Sequence, residues 1–159
     1  MNMTTIVRTN SQNTEFKELV KLLNLDLAER DGHDHPLARF NDIDGIKYVV
    51  MAYENQKPLG CGAMSEYNKE DIELKRVYVP PVCRGKGVAT RILTELEKWA
   101  KELSYYRAIL VTGTNQPEAN AFYRKNGYVR IPNYGAAAKI KDCLCFAKKI
   151  KNKVCIGPI

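Results

Sequence analysis

Apolar residues along this chain switch between two spacings, and the switches mark out its elements. Ile6-Val7-Arg8 reads as a short first strand. From Thr14 the spacing turns helical, with Phe16, Leu19, Val20, Leu22, Leu23, Leu25 and Leu27 forming a broad apolar stripe behind a cap at Asn13 or Thr14. The polar stretch Arg30 to Asp34, which contains Gly32, ends that helix, and a short helical piece is predicted over Leu37 to Phe40. Three strands follow, Lys47 to Glu54, Leu59 to Tyr67 and Asp71 to Val79. They read as an antiparallel meander, with the first turn at Asn55-Gln56-Lys57-Pro58. Helical spacing resumes from about Val88 to Leu103, and Ala108 to Thr112 is an apolar strand, so this helix joins two parallel strands. Asn115-Gln116-Pro117 begins another helix, with proline suited to its first turn, and Gly127 ends it. Strands at Tyr128 to Ile131 and Asp142 to Ile150 complete the pattern.

The expected fold class is therefore α/β. A mixed, mostly antiparallel sheet of about six or seven strands is flanked by about four helices in a single domain spanning 1–159, with 151–159 as a basic tail. Alternation along Glu73 to Val79 places Glu73, Lys75, Val77 and Val79 on one face and Leu74, Arg76 and Tyr78 on the other. A bulge, common beside active sites, would break that parity.

Composition narrows the function. An apolar content of 45% and a charged content of 27% over 159 residues suit one globular domain with a real core. The five cysteines form no Cys-x-x-Cys pair and there are only two histidines, His33 and His35, which predicts a reduced, metal-free, cytoplasmic protein. Met1 to Thr5 lacks the apolar core of a signal peptide, and the run Tyr48 to Tyr53 is too short to span a bilayer, so no membrane association is expected. A net charge of +7 suits a polyanion, whether nucleic acid, an acidic membrane surface or an anionic cofactor. No basic helix is interleaved with aromatics, which argues against nucleic acid as the partner.

The densest chemical signal is Arg84-Gly85-Lys86-Gly87-Val88-Ala89, between a strand stopped by Pro80 and Pro81 and the start of a helix. The first amides of a helix lack intrahelical acceptors and carry partial positive charge, so such a loop is an anion site, and its expected guest is a diphosphate. Gly85 and Gly87 let the backbone approach closely, while Arg84 and Lys86 add charge. Two nucleotide signatures fail on spacing. A P-loop needs four residues between its glycines and then Gly-Lys-Ser/Thr, and a dinucleotide fingerprint would need glycine where Thr90 stands.

Arg84, Gly87 and Ala89 instead occupy the fixed positions of the acyl-CoA-binding signature of the GNAT superfamily of N-acetyltransferases, which this segment resembles. Val79-Pro80-Pro81 matches the Val-x-Pro typical just upstream. A second segment, Gln116 to Tyr128, resembles the family's other motif, with Ala119, Tyr123 and Gly127 in place, Phe122 and Tyr128 as near equivalents, and Gln116 where asparagine is usual. The resemblance implies a GNAT-like fold whose central parallel strands splay apart to hold acetyl-CoA. Pantetheine would lie along Val77, Tyr78 and Val79, with the diphosphate on Arg84, Gly85, Lys86, Gly87, Val88, Ala89 and Thr90, and further contacts from Gln116, Ala119 and Tyr123. It also implies that Tyr123 is the general acid for the leaving thiolate, a role open to a phenol protonated at neutral pH. Glu73, eleven positions before Arg84, stands where histone-acetylating relatives carry a general base. It is also readable as a strand glutamate paired with Lys75 or Arg76, with water draining the proton instead.

The expected reaction is acetyl transfer from acetyl-CoA to a primary amine of a small molecule, by direct attack in a ternary complex. Acetylation of a protein lysine or N-terminus is the enzyme alternative, and a catalytically silent acyl-CoA sensor is the alternative of another class. Acceptor candidates are Asp31, His33, Asp34 and His35 in Asp31 to Asp44, and Tyr134 in Pro132 to Asp142, with Glu29 adding to the acidic cluster. A homodimer through an exposed last strand, Leu144 to Ala147, completes the expectations.

Overall fold

A computed structural model describes residues 3–32, 35 and 42–150. The chain runs β1 (Thr4–Thr9), α1 (Thr14–Asp31), β2 (Tyr48–Glu54), β3 (Lys57–Glu66), β4 (Asp71–Tyr78), α2 (Val88–Glu102), β5 (Arg107–Gly113), α3 (Pro117–Lys125), β6 (Val129–Ile131) and β7 (Cys143–Lys149). Short 3-10 turns occupy Pro81–Cys83 and Gly135–Lys139. Three α-helices lie among the described residues; the helical piece expected at Leu37 to Phe40, together with His33, Asp34 and the tail at 151–159, lies outside them.

All seven strands form one sheet in the order β1-β2-β3-β4-β5-β7-β6. The meander and the parallel β4–β5 pair form as their spacing predicts. One expectation is corrected: β7 lies between β5 and β6, so Leu144 to Ala147 is not an exposed edge, and the sheet's edge strands are β1 and β6.

Each face of the sheet is covered by helices whose apolar stripes explain their placement. On one face α1 buries Phe16, Leu19, Val20 and Leu23 against Val49, Met51, Cys61 and Ala63, and Asn13 Oδ1 accepts from Phe16 N–H (2.8 Å) to cap its first turn. The stripe is narrower than the sequence suggests, since Leu22 and Leu25 face outward. On the other face α2 buries Val88, Ile92, Leu93, Leu96 and Ala100. It lies tight on β3 because Gly60 and Gly62 have no side chain there. A Cβ at Gly62 would sit 2.7 Å from Ile92 and 2.8 Å from Leu96, well inside van der Waals contact.

Register across β3 and β4 shows where regularity breaks. Cys61 pairs with Tyr78 but Ala63 pairs with Lys75, so β4 carries one residue more than β3 between these points. Arg76 takes up the extra residue with φ +55°, a left-handed conformation costly for a residue with a Cβ. The bulge overturns the strict alternation expected for this strand. Ile72 and Leu74 face α2 before it, whereas Val77 and Val79 face α2 after it and Tyr78 faces α1.

Candidate active site

β4 and β5 pair only at one end, through Asp71–Arg107, Ile72–Ala108 and Glu73–Ile109. That end is locked by a fork: Arg107 Nε and Nη2 donate to the two oxygens of Asp71 at 3.0 and 3.1 Å. Beyond Glu73 the two strands diverge, leaving the β5-facing edge of β4 without a strand partner. A cavity of about 300 Å³ opens in the gap, lined by Val77, Val79, Arg84, Gln116, Ala119 and Tyr123 among others. A second cavity, about 90 Å³, continues deeper past Glu73, Arg76 and Leu110 and shares Gln116 and Tyr123 with the first.

The basic loop closes one end of the gap. Gly85 and Gly87 adopt φ +85° and +75°, which favours glycine, and a Cβ at either would meet nothing within 4 Å. Their requirement is conformational, and the space above the loop is free for a guest. Gly87 is the N-cap of α2 and offers no capping side chain, so the first-turn amides at Val88, Ala89 and Thr90 are left to an outside acceptor. Val88 is anchored in the core, while Gly85, Lys86, Gly87 and Thr90 are exposed at the rim rather than lining the cavity. Arg84 folds back so that its Nε donates to Val79 O (2.7 Å), and its guanidinium lies 6.0 Å from the Tyr78 ring centre.

Tyr123 projects from α3 between the rings of Phe122 and Tyr128 and borders both cavities. Its hydroxyl bonds to no described side chain. Burial pushes this phenol up from its ordinary range, and the Arg76 guanidinium offsets part of that rise. Asn120, absent from the sequence reading, ties α3 to the end of β5 by accepting from the Thr112 hydroxyl and donating to Gly113 O (3.2 Å).

Glu73 is buried and engaged. One oxygen accepts a short hydrogen bond from the Tyr134 hydroxyl, and the other lies 3.4 Å from Lys75 Nζ. Of the two expected ion-pair partners, Lys75 holds it and Arg76 does not. Tyr134 thus reaches from the segment before β7 to Glu73 on the wall of the deeper cavity. Asp31 accepts from Asn115 Nδ2 (3.3 Å), and His35 Nε2 stands 3.6 Å from Asp142, outside both cavities. At the mouth Arg30 bridges Glu118 (2.6 Å) and Asp26 (3.4 Å), linking α1 to α3.

Sequence reasoning missed the α1 contribution, Leu23, Asn24, Leu27 and Arg30, because nothing in the helix spacing says which part of its face meets the gap. It also missed Arg76 as a site residue. The available signal was a charge at a strand position that alternation sends toward the core.

Among the described residues no cluster of His, Cys, Asp and Glu could hold a metal, and no helix is long and apolar enough to cross a membrane. Cys61, Cys83, Cys143 and Cys145 are free and buried.

Comparison with known proteins places this geometry. The family model described as the acetyltransferase (GNAT) family matches residues 16–128. An IAA acetyltransferase from Azospirillum brasilense is 34% identical over 84 residues, covering 52% of this chain and 54% of the relative, so the matched stretch spans about half the relative's length. A Klebsiella pneumoniae protein solved as a candidate acyl-CoA N-acyltransferase superposes with a TM-score of 0.79 at 25% identity, covering 94% of this chain and 99% of that one. An Elizabethkingia anophelis GNAT family acetyltransferase, solved with acetyl-CoA bound, shares the fold with a TM-score of 0.67 at 15% identity, over 92% of this chain and 97% of that one.

Proposed function

Since the chain belongs to the acetyltransferase (GNAT) family, we propose that it transfers an acetyl group from acetyl-CoA to a primary amine of a small molecule, by direct attack in a ternary complex. The observation that carries this reading is the convergence of Tyr123, the free edge of β4 and the uncapped start of α2 on one gap. The residues fit the cofactor. The α2 amides with Arg84 and Lys86 would hold the diphosphate, and the unpartnered edge at Val77 and Val79 would hold the pantetheine amides. Val79 O is already engaged by Arg84, so the Val79 N–H and the Val77 groups are the ones left for that task.

Bound acetyl-CoA supplies the activated acyl group and a thiol leaving group. The chain supplies position, dipoles and protons. A backbone N–H on the free edge of β4 polarises the acyl carbonyl, a fixed dipole that needs no reorganisation during the reaction. The Tyr123 hydroxyl, protonated at neutral pH, donates to the departing sulfur, and the Arg76 charge stabilises the phenolate left behind. Glu73, already accepting from Tyr134, takes a proton from the substrate ammonium, directly or through water, so that the neutral amine can attack the acyl carbon. Holding donor and acceptor in one gap supplies much of the remaining acceleration.

The test is thiol release from acetyl-CoA with a broad amine and peptide panel, with the product identified by mass. Acetylated amine and matching thiol release are expected. Coenzyme A uptake without transfer to any amine would instead make the domain a sensor, and transfer confined to peptides would make the acceptor a protein.

A further inference from the structure

The guanidinium of Arg76 is held deep in the protein without a counter-charge. Nη1 donates to Asn24 Oδ1 (2.6 Å), which fixes the plane of the group. Nε is the one buried side-chain nitrogen or oxygen without a hydrogen-bond partner among the described residues. Nη2 bonds to no described residue either, and it is not sealed off as Nε is. The nearby acids are engaged elsewhere: Glu73 by Tyr134 and Lys75, and Asp26 by Arg30. The lining of the deeper cavity therefore holds one carboxylate, Glu73, against two cations, Lys75 and Arg76.

Burial pulls Arg76 down to about 10, so the group stays charged at neutral pH. An unpaired buried charge costs several kcal/mol, which is a standing reason to bind an anion. With Nη1 taken by Asn24 and Nε covered, Nη2 is the donor open to the cavity, and it meets a carboxylate oxygen through a charge-assisted hydrogen bond.

We infer that Arg76 receives a carboxylate on the acceptor, so that the amine acetylated belongs to an amino-acid-like molecule. A polyamine would bring further positive charge against Lys75 and Arg76, and a simple alkylamine would leave Nη2 of Arg76 unmet. The inference rests on the acetyl-transfer reading and specifies its acceptor.

The test uses α- and ω-amino acids, each paired with its own carboxamide, as acceptors with acetyl-CoA. At least one acid is expected to be used with a kcat/KM about tenfold or more above its amide, the range of a charge-assisted bond of roughly 1.5–3 kcal/mol. Arg76→Lys, which keeps a positive charge beside Tyr123, should erase that ratio by lowering the acid's value about tenfold more than the amide's. A second readout is independent of turnover and of whether the variants fold. The Arg76 Nε–H resonance of the wild-type protein should shift on adding the acids and not the amides. Equal use of acid and amide, an equal loss on both in Arg76→Lys, or an Nε–H signal indifferent to every acid overturns the inference. An Nε–H shift with the acids in a protein that acetylates no amine would sink the transfer reading and leave the carboxylate site standing.

Discussion

The two ends of the gap between β4 and β5 are built in opposite ways. The proposed donor end is one continuous piece of chain: strand, basic loop and helix start, with Gly85 and Gly87 at positive φ and the first-turn amides of α2 uncapped. The proposed acceptor end is assembled from distant pieces. Asn24 comes from α1, Arg76 from a bulge in β4, Tyr123 from α3 and Tyr134 from the segment before β7. A generic ligand can be met by a local motif, whereas a particular one is met by side chains that only folding brings together.

The largest effect that sharpens this contrast is expected at the residue serving both ends. Tyr123→Phe should lower kcat by about a hundredfold or more, within the range for losing a general acid, with coenzyme A affinity unchanged. Steady-state kinetics beside calorimetry checks both halves, and a kcat near wild type across the pH range would remove the acid role. Next in size is the scaffold that puts the bulge beside the helix start. A Cβ at Gly60 would come within 2.9 Å of Tyr78 O, a backbone atom that cannot step aside cheaply. Gly60→Ala should therefore cost about 1–3 kcal/mol, read as a lower urea midpoint at constant slope. An unchanged midpoint would mean that the contact is not tight.

The smallest effect is expected at the mouth. The Arg30–Glu118 pair has an exposed carboxylate partner, and such pairs contribute about 0–1 kcal/mol. Arg30→Gln should leave stability and coenzyme A affinity within that margin. A large loss in cofactor binding would mean that the α1–α3 clasp, rather than the basic loop, governs the donor end.

Most of the fold and the local geometry of the loop before α2 can be read from the sequence, and the reason is physical. Stripes, caps and left-handed glycines are local: Asn13 caps α1, Gly32 stops it, and Gly85 and Gly87 bend the loop wherever the rest of the chain lies. The parity of β4 could not be read, because Arg76 adopts a positive φ with no glycine to announce it, the register being imposed by β3. The place of β7 was misread for a related reason: a last strand looks like an edge until β6 is seen hydrogen-bonded to its outer side. Glu73 was legible as a candidate, but its short bond from Tyr134, some sixty residues away, was not.

The measurement that bears most directly on the central claim is a calorimetric titration of coenzyme A into three proteins: wild type, Gly87→Val and Arg76→Lys. A β-branched residue at φ +75° carries a penalty of roughly 1–2 kcal/mol or more, so Gly87→Val should bind about tenfold more weakly or worse. Wild type and Arg76→Lys should bind one equivalent with equal affinity, because the carboxylate site is not part of the donor cradle. No uptake by the wild type, or an affinity that survives Gly87→Val and falls with Arg76→Lys, would contradict the division of this gap into a donor and an acceptor end.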